Sequence, residues 1–343
     1  MRFSIPAPIS GGLILSYTCN AECIQCMYAC SPRWNADWIT RENLEAILSQ
    51  LAGKIQPSLY GREYIDLSHG LHFTGGEPFL NFSLLCEAVE LAESAGIPST
   101  FVETNGFWAV DDAKAREKLR ELKNRGLKGI MVSINPFYLE FIPFERTRRA
   151  VEIGYEVFGQ GMIPYQLEYY RKFCSWDITG TVKFENYLEY ESRENFARTA
   201  EFFLSGRSAF RIDDYLPGFF PRHSASALFN QPCIPEFIRP WHNHFDNYCS
   251  FMPGFCGGIS LGDIRNLDSM LEEGIEAEED SVLYYLFQDD FRGLFELAEG
   301  FDYRELPEGY LSKCHLCADI RRFLVDKSSF TELTPRHFYE ELS

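Results

Sequence analysis

The sequence predicts an α/β protein built on a parallel sheet. Short apolar runs that are typical of buried strands alternate with segments whose apolar residues recur at helical spacing. The runs cover residues 12–17, a segment that ends at Thr74, residues 100–104 and residues 129–134. This alternation favours parallel strands linked by helices, and barrels of this type place their chemistry at the carboxyl ends of the strands.

Each predicted helix follows a predicted strand or the loop after it. Thr40 opens the first helix, whose apolar face is formed by Leu44, Ile47, Leu48 and Leu51. The helix after Thr74 has a similar face, formed by Leu84, Leu85, Ala88, Val89 and Ala92. A turn at Asn105-Gly106 ends the third strand, and the next helix starts near Asp111.

The alternation stops near Pro217. Before that point, residues 201–207 predict a late barrel strand that ends in Gly206-Arg207. After it, residues 244–256 predict a hairpin, and residues 282–297 predict an amphipathic helix. We therefore expect a barrel domain over residues 1–215 and a smaller C-terminal domain over residues 216–343.

Composition limits the class of function. The chain has 343 residues, of which 45% are hydrophobic, so it can bury a large core. Its formal net charge of -18 argues against a nucleic-acid partner, because phosphates need a basic surface. The sequence has neither an apolar run of about twenty residues nor a signal pattern at its start, so we expect no membrane span and a cytoplasmic location.

Eleven cysteines in a reducing compartment favour metal binding over disulfides. Cys19, Cys23 and Cys26 are separated by three and then two residues, a spacing that lets three thiolates bind one 4Fe-4S cluster. The fourth iron of such a cluster has no protein ligand, so it can chelate the amine and carboxylate of S-adenosylmethionine. A zinc site with Cys30 as its fourth ligand is the alternative.

A glycine turn supplies the second motif. Gly75-Gly76-Glu77-Pro78 begins 49 residues after Cys26, at the end of the second predicted strand. Two glycines let the backbone approach a ligand, and the proline stops the strand. In this order, the cysteine and glycine motifs resemble those of the radical S-adenosylmethionine (radical SAM) enzymes, which argues against the zinc alternative.

The resemblance implies a partial (β/α)6 TIM-like barrel that binds S-adenosylmethionine. Gly75, Gly76 and Glu77 match the turn that holds the methionyl amine, and Asn105, Ser133 and Asn135 match positions that contact the carboxylate or ribose. The alternative for the last three is an ordinary structural role, such as an Asn-Gly turn. Gln25 departs from the family pattern, which has an aromatic residue there; Met27 and Tyr28 are alternatives for the adenine contact.

The C-terminal cysteines resemble the SPASM or twitch extension of peptide-modifying radical SAM enzymes. We expect an auxiliary 4Fe-4S cluster bound by Cys233, Cys256, Cys314 and Cys317. Cys249 takes the place of the turn glycine in the hairpin, so we expect a spare thiol there. Nearby histidines are expected to form hydrogen bonds rather than to bind iron; these are His242, His244 and His315.

The resemblance implies an oxygen-sensitive enzyme that reductively cleaves S-adenosylmethionine to a 5′-deoxyadenosyl radical, which abstracts a substrate hydrogen. A ribosomally made peptide (RiPP) is the favoured substrate, and a small-molecule metabolite is the alternative. A non-catalytic iron–sulfur or zinc protein is a third hypothesis. Flavodoxin or ferredoxin is the expected type of electron donor. The fate of the substrate radical stays open, with Cys249, Cys174 and Cys30 as candidate thiols.

Overall fold

A computed structural model describes residues 1–327 and 329–343 of the chain. Its strands are β1 (Arg2–Phe3), β2 (Ser10–Ile14), β3 (Gly70–Thr74), β4 (Phe101–Thr104), β5 (Gly129–Ser133), β6 (Met162–Tyr165), β7 (Asn243–Phe245), β8 (Phe251–Met252) and β9 (Ile275–Glu276). Among the described residues, no helix combines the length and the apolar character needed to cross a bilayer.

The helices fall into two groups along the chain. In the first part they are α1 (Arg41–Leu51), α2 (Phe82–Ser94), α3 (Asp112–Asn124), α4 (Pro136–Leu139), α5 (Phe144–Phe158), α6 (Leu167–Ser175), α7 (Phe184–Tyr187), α8 (Arg193–Thr199) and α9 (Arg207–Tyr215). In the second part they are α10 (Ala225–Leu228), α11 (Ile234–Phe237), α12 (Leu267–Glu273), α13 (Val282–Phe287), α14 (Phe291–Gly300), α15 (Lys313–Leu324) and α16 (Arg336–Glu340).

One seven-stranded sheet organises the molecule. Its order is β6-β5-β4-β3-β2-β7-β8, and all neighbours are parallel except β7 and β8. Strands β2 and β3 are buried along their whole length, as expected for parallel strands covered on both faces. The predicted α/β class is confirmed, and the sheet is consistent with a partial barrel.

Capping residues set the helix starts that the sequence predicted. The Thr40 hydroxyl accepts a hydrogen bond from the Asn43 amide, and the Asp111 carboxylate accepts one from the Lys114 amide. Helix α1 buries Leu44, Ile47, Leu48 and Leu51, the four residues of the predicted face. Local signals therefore account for these helices and for the direction in which they face the sheet.

The late barrel strand predicted at residues 201–207 is wrong. Residues 201–204 have no regular structure, and Arg207 begins α9. Phe202 instead packs against Phe196 and Phe220, with ring centroids 5.7 and 5.2 Å away. The apolar residues of this run are therefore explained by packing in an aromatic cluster rather than by a buried strand. The sixth parallel strand is β7, which pairs with β2 on the opposite side of the sheet from β6.

Of the two predictions for the C-terminal part, the hairpin is confirmed and the single helix is wrong. The hairpin is present as β7 and β8, with His244 opposite Met252 and Phe245 opposite Phe251. The helix predicted over residues 282–297 is instead two helices, α13 and α14, which is a correction. The break falls at Asp289, whose backbone is left-handed at φ 54° and whose carboxylate accepts a hydrogen bond from the Ile234 amide at 2.8 Å.

Candidate functional site

A pocket at the carboxyl ends of the barrel strands brings the predicted residues together. The cysteine loop follows β2, the glycine turn follows β3, Asn105 follows β4, and Ser133 ends β5. Of the predicted residues, those that line the pocket are Cys19, Cys23, Cys26, Met27, Tyr28, Cys30, Gly75, Gly76, Asn105, Ser133 and Asn135. The parallel sheet therefore gathers into one site residues that are far apart in sequence.

The cysteine loop presents three unpaired thiols to this pocket. The Cys30 amide donates to Cys26 Sγ at 3.3 Å. Hydrogen bonds from Cys30 lower the pKa of the Cys26 thiol, because donors stabilise a thiolate. The bond from the Cys30 side chain has the largest effect, and the bond from its amide adds to it. Burial raises the pKa of Cys19 and Cys23, so these two need the positive charge of bound metal to ionise. The donor set therefore fits an iron–sulfur cluster.

Arg207 holds the cysteine loop in place. Its side chain is fully buried, and its guanidinium donates to Cys23 O at 3.0 Å and to Ala29 O at 2.7 Å. Three further bonds, each of 3.1 Å, reach Cys30 O (two bonds) and Glu341 O (one bond). The residue predicted to end a barrel strand thus ties the loop to the C-terminal end of the chain.

The glycine turn packs against backbone rather than leaving open space. A Cβ on Gly76 would lie 1.9 Å from Thr18 O, and one on Gly75 would lie 2.3 Å from Ser16 O. Gly75 also has φ of 125°, which side chains rarely adopt. The Gly76 amide donates to Ser16 O at 2.8 Å. The missing side chains therefore let the turn dock onto the start of the cysteine loop.

Glu77 lies behind the pocket wall instead of lining it. Its carboxylate, 1% exposed, accepts hydrogen bonds from the Asn105 amide at 2.8 Å, Thr104 Oγ1 at 2.9 Å and the Phe79 amide at 3.1 Å. Burial raises its pKa to about 7. The side chain therefore joins the turn after β3 to the turn after β4.

Asn105 and Asn135 serve local structure while they line the pocket. Asn105 Oδ1 accepts from the Phe107 amide at 3.0 Å, as in an Asx turn. Asn135 Oδ1 caps α4 by accepting from the Phe137 amide at 3.0 Å. Gln25 Nε2 donates to the same oxygen at 3.4 Å, so the residue at the expected aromatic position extends toward Asn135.

Several buried polar atoms of the pocket residues have no hydrogen-bond partner among the described residues. They are Gln25 Oε1, Tyr28 Oη, Gln166 Oε1 and Tyr169 Oη. Buried polar groups are normally paired, so a polar ligand would satisfy them. The sequence did not single out Gln166 or Tyr169, because the region around them has weak periodicity; their place just after β6 is the signal that identifies them.

Glu103 is a second pocket residue that the sequence did not single out. It lies on β4, and its Oε2 accepts a hydrogen bond from Thr74 Oγ1 at 2.7 Å. Burial raises its pKa to about 7. A charged residue in a strand that is otherwise buried is the signal in the sequence that points to it.

A second group of cysteines surrounds a small cavity in the C-terminal part. Cys314 and Cys317 lie on α15, Cys233 precedes α11, and Cys256 follows the hairpin. Arg321 and Lys313 line the same cavity and supply positive charge. Four thiols of this kind suit a complete cysteine shell around a cluster.

The three candidate thiols lie in different places. Cys30 lines the barrel pocket, whereas Cys174 is exposed on α6. Cys249 lies in the hairpin turn with φ of 66°, the backbone region that favours glycine, and borders another pocket beside Asp263. His315 accepts a hydrogen bond from the Leu311 amide through Nδ1, at 3.2 Å.

Comparisons with known proteins agree with this geometry. Residues 13–133 match the family model described as a 4Fe-4S single cluster domain. YydG of Bacillus subtilis (strain 168), named for peptide biosynthesis, is 22% identical over 138 residues, 40% of this chain. The match covers 39% of YydG, so the chain spans about two fifths of the length of this curated relative.

Two solved structures are also similar. The first is anSMEcpe with bound AdoMet and the Kp18Cys peptide, with 15% identity, a TM-score of 0.44, and coverage of 93% of this chain and 97% of that one. The second is Streptococcus suis SuiB bound to S-adenosylmethionine, with 14% identity, a TM-score of 0.32, and coverage of 72% and 60%.

The fold is of the α/β class, with three convergent cysteines at the carboxyl ends of its parallel strands, and its first part is similar to a 4Fe-4S domain. The match to a 4Fe-4S domain model covers Cys19, Cys23 and Cys26 and the glycine turn, the two motifs from which we predicted a resemblance to radical SAM enzymes.

Proposed function

We propose that the protein reductively cleaves S-adenosylmethionine to a 5′-deoxyadenosyl radical and abstracts a hydrogen from its substrate. The observation that carries this proposal is the convergence on one pocket of three free thiols and several buried polar groups that lack a hydrogen-bond partner within residues 1–327 and 329–343. When bound, a reduced 4Fe-4S cluster supplies the electron for this cleavage, and a flavodoxin or ferredoxin is the type of partner that would deliver it.

The residues of the pocket have three separate roles in this proposal. Cys19, Cys23 and Cys26 would hold the cluster, with its fourth iron free for the methionyl amine and carboxylate. Ser133 and Asn135 supply polar groups beside them, and the aromatic walls exclude water from a reactive radical. The aromatic walls include Phe137, Tyr138, Phe196 and Phe203.

We propose a ribosomally made peptide as the substrate. The name of YydG and the peptide bound to anSMEcpe support this choice. The net charge of -18 favours a neutral or cationic peptide over an acidic one. A small metabolite is the second candidate; turnover of free amino acids or sugars, without turnover of peptides, would select it.

An anaerobic assay tests the cleavage. Reduced protein with reconstituted clusters is incubated with S-adenosylmethionine, and 5′-deoxyadenosine is measured by chromatography. Changing Cys19, Cys23 and Cys26 to alanine is expected to abolish the product. Cys86→Ala is the matched control, because Cys86 is buried in α2 and lines neither cysteine site. Continued cleavage by a folded triple variant would contradict the proposal.

We also propose that Cys233, Cys256, Cys314 and Cys317 bind an auxiliary 4Fe-4S cluster. Their position around one cavity supports this assignment. Iron analysis and Mössbauer spectra test it: wild type and Cys249→Ala should hold about eight irons per chain, and Cys256→Ala about four. The reverse pattern, with iron lost only from Cys249→Ala, would make Cys249 the ligand.

A further inference from the structure

Three histidines lie together inside the barrel, apart from both cysteine groups. They are His72 on β3, His244 on β7, and His242 just before β7. Their ligand nitrogens all lie within 4.8 Å of one another, and His72 and His244 are buried. From the sequence we expected His242 and His244 to lie close to the C-terminal cysteines, whereas in the fold both lie beside the barrel strand β2.

Strand pairing explains why the rings converge. Gly12 on β2 lies opposite His72 on one side and His244 on the other. A Cβ at Gly12 would lie 2.4 Å from His72 Nε2 and 2.9 Å from His244 Nε2. This glycine therefore leaves the space into which the two Nε2 atoms point.

Hydrogen bonds set the tautomers of two rings. His242 Nδ1 lies 3.1 Å from Leu67 O, and His244 Nδ1 lies 3.1 Å from Gly254 O. A carbonyl only accepts, so both Nδ1 atoms carry the proton and both Nε2 atoms carry the lone pair. Histidine ligands of metals are usually oriented by a carbonyl or carboxylate in this way.

Two further features indicate a ligand site. His72 Nε2 is buried and has no hydrogen-bond partner among the described residues. His242 has φ of 57°, a left-handed backbone that few residues other than glycine adopt.

Glu103 places a carboxylate beside His72, outside the group of three histidines. Its Oε1 lies 3.5 Å from His72 Nε2, while its Oε2 is held by Thr74. Arg239 is the cation near His242 and His244. It is paired with Glu236 at 3.3 Å, so part of its positive charge is offset. Imidazoles suit zinc and other transition metals, whereas calcium and magnesium prefer oxygen ligands.

We propose that His72, His242 and His244 form a binding site for one Zn²⁺ ion, with the Glu103 carboxylate beside His72. Binding at Zn–N distances of ~2.0–2.1 Å draws the three rings closer together. The ion links β3 to β7 across Gly12, and through Glu103 it borders the barrel pocket.

The test uses holoprotein with its clusters reconstituted. Adventitious metal is removed with a mild chelator, Zn²⁺ is added, and zinc and iron per chain are measured after desalting. We expect about one zinc per chain, with an X-ray absorption spectrum that contains nitrogen and oxygen neighbours but no sulfur. Zinc held by the cysteine sites would show sulfur neighbours and would overturn the proposal, as would the absence of bound zinc.

Variants identify the ligands. His72→Gln and His242→Gln are expected to weaken zinc affinity at least about tenfold. His223→Gln is the control, because His223 is exposed and lies outside the group of three histidines. This variant should bind zinc as the wild type does. If His72→Gln and His242→Gln both bind zinc with unchanged affinity and have a normal iron content, the assignment is refuted. If His72→Gln fails to fold, the less buried His242 and the wild-type spectrum decide the question.

Discussion

At the scale of single residues, the glycine turn after β3 is shaped by the backbone of the cysteine loop. A Cβ on Gly76 would overlap the Thr18 carbonyl, so the turn and the loop would have to separate. We expect Gly76→Ala to lower the free energy of unfolding by about 2–4 kcal/mol and to reduce bound iron. Denaturant unfolding of the cluster-free chain and iron analysis measure these effects.

The matched control for this turn is Gly300→Ala. Nothing lies within 4 Å of the added Cβ at Gly300, which ends α14, so we expect unchanged or slightly higher stability. Intact stability of Gly76→Ala, combined with weaker S-adenosylmethionine affinity, would instead favour the sequence-based interpretation that Gly76 makes room for the ligand.

Glu77 gives the stability of the cluster-free chain a pH dependence. Burial raises its pKa from 4.5 to about 7 in the folded chain, so folding binds a proton between these values. Its contribution to stability is therefore complete below pH 4.5 and is lost as the pH rises to about 7, by up to about 3 kcal/mol.

Glu77→Gln tests this dependence, because glutamine resembles the protonated carboxyl group. The free energy of unfolding of the wild type minus that of the variant is expected to fall as the pH rises from 4.5 to 7. Other acidic groups cancel in this difference. A difference that is constant with pH, measured by denaturant unfolding, would show that Glu77 keeps an ordinary pKa.

At the scale of secondary structure, the first turn of α9 anchors the cysteine loop. Arg207→Met would leave the carbonyls of Cys23, Ala29, Cys30 and Glu341 without this donor in a buried space. We expect the free energy of unfolding to fall by about 3–5 kcal/mol and the iron content to drop. Calorimetry and iron analysis measure both.

Arg211→Met is the matched control, one turn along the same helix. Arg211 is partly exposed and pairs with Asp214, so its loss is expected to change stability by less than about 1 kcal/mol. Equal effects of the two variants would mean that charge on α9, rather than the bonds to the loop, stabilises the molecule.

At the scale of the whole molecule, the C-terminal part completes the barrel sheet. Strand β7 pairs with residues 11–13 of β2, and Tyr17 Oη donates to the Asp246 carboxylate at 2.9 Å. A chain of residues 1–215 would therefore have an unpaired β2 edge. We expect it to aggregate and to lack a cooperative melting transition, as measured by circular dichroism and size-exclusion chromatography.

Removal of residues 1–3 is the control for that truncation. Strand β1 pairs with β9 in a separate two-stranded sheet, so its loss should leave the barrel transition in place. A cooperative transition in the 1–215 chain would show that the barrel part folds without β7.

Local patterns in the sequence predicted the α/β class, strands β2 to β5 and the starts of α1 and α3, because apolar period and capping residues act over short stretches of chain. They also placed the three cysteines and Asn105 at strand ends, where a parallel sheet brings them together. The tertiary structure decided the partner of β2, the role of Arg207 and the meeting of His72 with His244 across Gly12. These features depend on contacts between residues far apart in the chain, and no local pattern of apolar or turn residues encodes them.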